Sequence, residues 1–435
     1  MKLAYDGAIR SIPPPVRQSL LDRRASFEPA LDAVRPIRDD VRTRGDAALR
    51  DLTLRFDGEA PEALEVPRAE RIAALSRLPI EVRAALVDAR RNVERYHRAQ
   101  LRTEAEVEVV PGVRAGRRFV PVARAGAYVP GGRASYPSTV LMTVLPAKVA
   151  GVREVVVCTP PGKGGLVPDA TLAACEVAGA DRVFAVGGAQ AVFAMAYGTA
   201  TVPRCDKVVG PGNAYVMAAK SLVAGDVAID SPAGPSEVLV LHLGSKQGEG
   251  ERDARFAVAE VLAQAEHDPD AACAVVTTSA LFVEAFRKAL ADADAGPRAE
   301  VVREALARRG ALLLADSADE ARAFSDAYAP EHLVILSADP RADLDRLSSY
   351  GSAFLGPWSS VALGDYASGP NHVLPTAGLA RAYSGLSVDD FLRRPTHQEA
   401  TREGMGRLAH AVEALAAFEG LPNHAAAVRL RRETR

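Results

Sequence analysis

The sequence predicts an α/β protein built on parallel sheets, with helical segments at both ends. Short β-branched runs alternate with stretches of helical spacing from about residue 105 to about residue 328, the rhythm of a mainly parallel sheet covered on both faces. Outside that region, apolar residues recur three and four apart with charges between them, as in helices that bury one face. The 435 residues are 48% hydrophobic and 25% charged, a globular profile that at roughly 100 to 200 residues per domain suggests about two to four units.

The elements follow in order. Ser26 to Arg55 and Ala69 to Gln100 read as packing helices. Glu154 to Cys158 is a strand, Asp169 to Ala178 a helix, Arg182 to Val186 a strand, Ala189 to Tyr197 a helix and Val238 to His242 a strand. The rhythm repeats with a helix from about Arg252 to His267, a strand at Cys273 to Thr278, helices to about Arg309, a strand at Ala311 to Leu314 and a helix to about Tyr328. Two α/β layers in series result. GSKQGEG at 244–250 reads as an exposed loop near a boundary, and beyond about 380 a short helical unit ends in the basic Arg429 to Arg435. No internal repeat or low-complexity tract is visible.

Several function classes are excluded. With 53 Lys plus Arg against 55 Asp plus Glu and a net charge of -2, no general field favours nucleic acid or an anionic membrane. Cys158, Cys175, Cys205 and Cys273 form no C-x-x-C pair and sit mostly in apolar runs, as buried thiols of a reducing compartment do. Asp6 interrupts the stretch a secretory signal needs, so a cytoplasmic location is expected. Val183 to Pro203 carries no charge, but Gly187, Gly188 and Gln190 interrupt it, and a buried strand, a glycine turn and a buried helix fit better than a membrane span.

The eight histidines are His97, His242, His267, His332, His372, His397, His410 and His424. Three have unusual polar company. His267 in AQAEHDPDA lies three residues after Gln264, so both could reach one metal ion, although the same spacing describes a solvated helix end. His332 follows Glu331 in YAPEHL, after a proline that stops a helix. A histidine there suits a general base and the carboxylate could activate water, while an exposed turn with an accidental pair is the commoner reading of the motif by itself. His372 lies in GDYASGPNHVLPT, a loop rich in donors and acceptors in which Asp365 offers an oxygen ligand. Glycine-rich turns recur in YVPGGRASYPSTVLM, VGGAQ, GPGNAYV and PAGPSE. At strand-to-helix junctions their N–H groups can hold an anion or pyrophosphate, yet none is a G-x-G-x-x-G fingerprint.

Taken together and in order, YVPGG with YPSTVLM, GPGNAYV, AGPSEVL, AQAEH, YAPEHL, GDYASGPNHVLPT and the closing LPNHAAAV resemble the histidinol dehydrogenase family from roughly residue 10 to residue 430. The resemblance implies a zinc-dependent, four-electron oxidation of L-histidinol through a retained histidinal to L-histidine with two NAD, the last step of histidine biosynthesis. It implies Gln264, His267, Asp365 and His424 as zinc ligands, with one zinc per subunit. His332 is the implied general base and Glu331 the group that activates water. Ser236, His372 and Glu419 are the implied substrate contacts beside the metal ligands and His332, and Tyr128, Gln190 and Asn213 the implied NAD contacts. It further implies a homodimer whose C-terminal segment lends His424 and Glu419 to the partner's site. The expected domains are an N-terminal arm (1–25), a first Rossmann-like domain split between 26–127 and 237–380, a second one inserted at 128–236 with the NAD-binding turns, and a C-terminal dimer-exchanging unit (381–435).

Small departures from the family pattern fall at Pro370 and Ser231, which carry no chemistry. The nearest rival is a paralogous zinc and NAD dehydrogenase of another amino alcohol or diol. Retention of every implied ligand and acid–base residue argues against it, because a substrate without an imidazole leaves polar groups unmatched. A non-catalytic zinc scaffold gives no reason to keep Glu331 and His332, and a zinc hydrolase using Glu331 gives no role to Tyr128, Gln190 and Asn213.

Overall fold

The computed structural model describes residues 1–23, 28–131, 135–231, 234–244 and 248–434. The start of the helix expected from Ser26, the middle of the GSKQGEG loop, and parts of the YVPGGRAS and PAGPSE turns lie outside the described residues. Two parallel sheets form the frame. In chain order their strands are β1 (Tyr5–Ala8), β2 (Arg124–Tyr128), β3 (Glu154–Thr159), β4 (Arg182–Ala185), β5 (Lys207–Val209), β6 (Ala228–Ile229), β7 (Glu237–His242), β8 (Ala272–Thr277), β9 (Gly310–Leu314), β10 (His332–Leu336) and β11 (Ser352–Leu355). The first sheet runs β1-β9-β8-β7-β10-β11 and the second β4-β3-β2-β5-β6. The second sheet therefore lies wholly between β1 and β7 in the chain, the expected insertion.

Every strand of the two sheets is parallel to its neighbours. Both faces are covered, which is why strands such as Val155–Cys158 and Val238–Leu241 are continuous buried runs with no alternation. Asp169–Ala178 forms a helix with the expected bounds, and the uncharged segment resolves into β4, a turn and the helix Gly188–Tyr197. Among the described residues no helix is long and apolar enough to cross a membrane. All four cysteines are buried and free.

The expected domain boundaries need correction. Helices Glu28–Arg44 and Asp46–Asp57 bury Ala30, Val34, Val41, Leu49 and Leu52 in one core with Phe184, Val192 and Phe193 of the second sheet's layer. Arg68–Arg77 and Ile80–Arg98 bury Ala74, Leu86 and Val93 in that layer's other core, with Leu141 and Leu172. Residues 28–98 thus pack on the second sheet rather than joining 237–380. The 1–25 arm is no separate unit, since β1 pairs with β9 as the first sheet's edge. The terminal unit is not helical throughout: Leu392–Arg393 and Thr396–Ala400 are strands that pair with Val120–Pro121 and Val113–Arg117. Only Arg402–Phe418 and Pro422–Glu433 form its helical hairpin.

Candidate active site

The second sheet offers its C-terminal edge. Its order reverses between β2 and β5, and ligands of open α/β sheets bind at such a switch point, outside the carboxyl ends of the strands. Tyr128 ends β2, Gln190 lies in the first turn of the helix after β4, and Asn213 caps the helix after β5. The Tyr128 hydroxyl accepts from the Gly188 N–H at 3.2 Å, and burial pushes its pKa up to about 12. Gln190 is buried, whereas Asn213 is exposed and its Oδ1 accepts from the N–H groups of Tyr215 and Val216, both at 3.1 Å. That leaves the Asn213 amide N–H₂ for a ligand.

Close backbone approach explains the glycines here. Gly210 has φ +119° and a Cβ on it would collide with the Tyr128 carbonyl oxygen; one on Gly187 would lie 2.9 Å from Pro160 Cα. Gly210 is also clamped from behind, its N–H donating to Asp230 Oδ2 at 2.7 Å and its C=O accepting from Lys220 Nζ at 3.0 Å. Lys220 and Asp230 form a buried ion pair with each other.

The first sheet offers its N-terminal edge. Ala329, fully buried in the left-handed conformation at φ 49°, ends the helix Ala318–Tyr328 and turns Pro330, Glu331 and His332 into β10. Glu331 and His332 are 5% and 4% exposed, so their charges are nearly removed from water. Glu331 Oε2 accepts from the Glu237 N–H at 2.6 Å and lies 3.5 Å from His332 Nδ1. Nδ1 sits 3.0 Å from the Glu237 carbonyl oxygen, which only accepts, so the proton belongs on Nδ1 and the lone pair of the neutral ring on Nε2. Buried Nε2 has no hydrogen-bond partner and faces Asp365 Oδ1 at 3.4 Å. Burial raises the Glu331 pKa. Burial pulls His332 the other way, but the Glu331 and Asp365 carboxylates outweigh it and hold the imidazolium well above its ordinary range.

Around this pair stand most of the other expected residues. His372 Nδ1 donates to the Asp365 carbonyl at 2.8 Å and its Nε2 lies 3.3 Å from Thr139 Oγ1. Burial would raise the Asp365 pKa, yet the fields of His332, His372 and His267 and the contact with His332 hold it below the usual carboxylate range. Gln264 is buried in the last turn of Gly250–Ala265 and His267 follows just past its cap. Ser236 immediately precedes β7 at the same edge. Glu419 and His424 do not join them: both are exposed on the terminal hairpin. Among the described residues no three His, Cys, Asp or Glu side chains gather as a metal site.

Gln264, His267 and Asp365 nevertheless suit a divalent ion in chemistry, supplying an amide oxygen, an imidazole nitrogen and a carboxylate beside the orphaned Nε2 of His332. One further donor is needed from outside the cluster. The four remaining histidines have other surroundings. His97 bonds Gln100, His242 bonds Thr277, His397 pairs with Glu106, and His410 is exposed.

Sequence reasoning missed four neighbours of the site. Glu237 holds Glu331 and His332 through its backbone, and Glu260, buried nearby, accepts from the Val361 N–H at 3.1 Å. Thr139 touches His372. Asp57 has a buried Oδ2 without a partner and lies within the electrostatic reach of Tyr128. Glu237 and Thr139 had a sequence signal, as the residue after Ser236 in AGPSE and as a member of YPSTVLM.

The contact between Thr139, in the helix that follows β2, and His372 brings the second sheet's layer against the loop that carries Asp365. A dinucleotide-type edge facing a buried acid–base pair defines an α/β oxidoreductase. Residues 21–432 match the family model described as histidinol dehydrogenase. The chain is similar to "Histidinol dehydrogenase" of Methanothermobacter thermautotrophicus, 48% identical over 96% of each chain, and to that of Xanthomonas axonopodis pv. citri, 47% identical over 92% of each. It is also similar to the crystal structure of histidinol dehydrogenase from Elizabethkingia anophelis, with TM-score 0.91, 34% identity and 99% and 98% of the two chains covered. The chain belongs to the histidinol dehydrogenase family and is an NAD-dependent oxidoreductase.

Proposed function

We propose that the protein oxidises L-histidinol to L-histidine by way of histidinal, consuming two NAD and one water, as the last step of histidine biosynthesis. What carries this reading is the buried Glu331–His332 pair, with Asp365 3.4 Å from His332 Nε2 and His267 within the field of both. Gln264, His267, Asp365 and a His424 would hold zinc, which would supply Lewis acidity with no redox change of its own. Tyr128, Gln190 and Asn213 would hold NAD, which would supply the hydride acceptor.

The chain's own groups then divide the proton work. In the first oxidation His332, which would be neutral once a cation held at Asp365 offsets the carboxylate field that favours its protonated form, takes the alcohol proton at Nε2 while its Nδ1–H stays on the Glu237 carbonyl. In the second, Glu331 takes a proton from water as the water oxygen bonds to the aldehyde carbon and the carbonyl pair moves onto its oxygen, giving the hydrate as its oxyanion, and burial favours the protonated carboxyl that results. Ser236, His372 and Glu419 are assigned to orienting the substrate. The imidazole of histidinol favours this reading over the paralogue acting on another amino alcohol or diol, since it answers the polar groups around Asp365.

The exposed hairpin supports a homodimer. Phe418 is 92% and Leu415 62% exposed beside Glu419 and His424, a cost in water that a second copy would remove while completing the zinc shell. A cytoplasmic enzyme fits the free buried cysteines.

The deciding experiment follows NADH formation from L-histidinol with and without chelation. Two NADH per histidinol, lost with the metal and restored by zinc, are expected; no turnover by a folded zinc-loaded protein overturns the reading in favour of another alcohol. Mixing His424→Ala chains with His332→Asn chains tests the shared site. Activity should return in the heterodimer, which keeps one intact site; demonstrated heterodimers without activity would sink the exchange.

A further inference from the structure

The residue after Ser236 touches both Glu331 and His332 through its backbone. The Glu237 N–H donates to Glu331 Oε2 at 2.6 Å, and the Glu237 carbonyl accepts from His332 Nδ1 at 3.0 Å. One peptide segment therefore orients the water-activating carboxylate and fixes the tautomer of the base. What holds Glu237 is its own side chain, 2% exposed. Its carboxylate accepts from Arg23 Nε at 2.7 Å, from Arg23 Nη2 at 2.9 Å and from the Ala377 N–H at 2.8 Å.

Arg23 is fixed as firmly. It is also 2% exposed, donates to the carbonyls of Leu20 and Tyr328, both at 2.7 Å, and stacks 3.5 Å over the Tyr328 ring. Every anchor converges on the same place: Tyr328 ends the helix leading into Glu331, Leu20 belongs to the N-terminal arm, and Ala377 lies just beyond the His372 loop. A bidentate fork of this kind is directional, and the geometry it imposes cannot be met by a point charge. A fully buried ion pair is a poor investment in stability compared with apolar packing, so its presence at this position calls for a positional explanation.

We propose that Arg23 and Glu237 are positioning residues of the oxidoreductase, a buried clamp that holds Glu331 and His332 in their working orientations through the backbone of Glu237. The kinetic part of this inference rests on the reading of the reaction given above; the geometric part does not. Arg23 also lines a groove of about 230 Å³ shared with Val16, Leu20, Arg309 and Tyr328, so a guanidinium ion can reach the space that Arg23→Ala would leave.

The test uses zinc-loaded wild-type, Arg23→Ala, Arg23→Lys and Glu237→Gln proteins. In 15N-histidine-labelled samples, the His332 signal, identified by its absence in His332→Asn, should report a proton on Nδ1 in the wild type. It should lose that signature in Arg23→Ala and regain it with guanidinium at concentrations that leave the wild type folded. In histidinal oxidation Arg23→Ala should lose about tenfold or more in kcat with KM for NAD little changed, misplacement of reacting groups acting on the chemical step, and guanidinium should return part of the loss. Glu237→Gln, which keeps the backbone groups but weakens the fork, should fall between the wild type and Arg23→Ala, and Arg23→Lys should remain impaired.

A folded Arg23→Ala protein with an unchanged His332 signal overturns the clamp, whatever the substrate proves to be. So does a loss of kcat that guanidinium leaves untouched. If Arg23→Ala does not fold, Glu237→Gln and Arg23→Lys decide the matter by the same two readouts. A wild type that shows the Nδ1 signature but no turnover of histidinal would count against the proposed reaction alone.

Discussion

Apart from the added edge strand β1, the two sheets share one strand order, and their candidate site residues lie at opposite ends of it. β4-β3-β2-β5-β6 and β9-β8-β7-β10-β11 each start at a central strand, step outward twice, then cross back to the other side. Tyr128 at the end of β2 and His242 at the end of β7 are topological counterparts. Tyr128 borders an open switch point, while His242 stacks on Phe282 at 3.8 Å, bonds Thr277, and is driven by burial to a pKa of about 4. The first sheet has filled its crevice with His242 and Phe282, and its buried Glu331–His332 pair stands instead at the amino ends of β7 and β10. Topology therefore offers a ligand site without compelling its use; facing edges place a cofactor-type site against an acid–base pair, which two carboxyl edges side by side would not.

The sharpest way to break this comparison is to remove the acid–base groups. His332→Asn should slow alcohol oxidation by about 10²- to 10⁴-fold, the usual worth of a positioned acid or base, and Glu331→Gln should do the same mainly to histidinal oxidation. Stopped-flow measurement of the separate half reactions checks this, and equal losses in both steps for both variants would refute the division of labour.

Two glycines sharpen it further. Gly351→Ala puts a Cβ 2.6 Å from the Glu331 carbonyl oxygen, and should lower kcat roughly tenfold by displacing the pair, with KM for NAD nearly unchanged. Gly210→Ala crowds the Tyr128 carbonyl in a backbone conformation that favours glycine, and should raise KM for NAD by a similar factor with a smaller change in kcat. If the two variants show the same pattern, the edges do not have separate tasks.

The smallest effect belongs to Asp57, on the second sheet's side. Burial raises its pKa from 3.8 to about 6, so the folded state prefers the neutral carboxyl. Stability is lost as pH rises through that window and stays lost above it. After discounting for partial exposure, Asp57→Asn should gain about 1 kcal/mol at pH 8 and nearly nothing at about pH 4. Denaturant titrations at both pH values measure it; a gain independent of pH would mean that ionisation is not the cause.

Which parts were legible in the sequence follows from the range of the interactions. Helix Asp169–Ala178 and the central strands declared themselves because their signals are local: a β-branched run, a glycine just past a helix end. The stripe of Ala30, Val34 and Val41 said that a face is buried but not that Val192 and Phe193 bury it, hence the misassigned domain. Ala105–Val110 and Thr396–Ala400 are exposed almost throughout, so no inward face marked them as strands. The catalytic motifs could be aligned one by one, whereas the Arg23 contact with Glu237 pairs two elements with nothing in either to announce the other. The shared strand order escaped notice for a related reason: it is a repeat of topology, carried by no repeat of residues.

The pairing of Tyr5 with Ala311 also sets a timetable. A chain emerging from the ribosome makes the edge strand of its first sheet at the outset, but the strand that receives it appears only after the whole second sheet has been synthesised. Domains that are contiguous fold as they emerge, and contacts between distant segments wait. The second sheet and its flanking helices can form while the clamp, the Glu331–His332 pair and the amino-terminal strand are still apart, but Val388 and Phe391 seal that layer's core, so the half made first is also among the last to be finished.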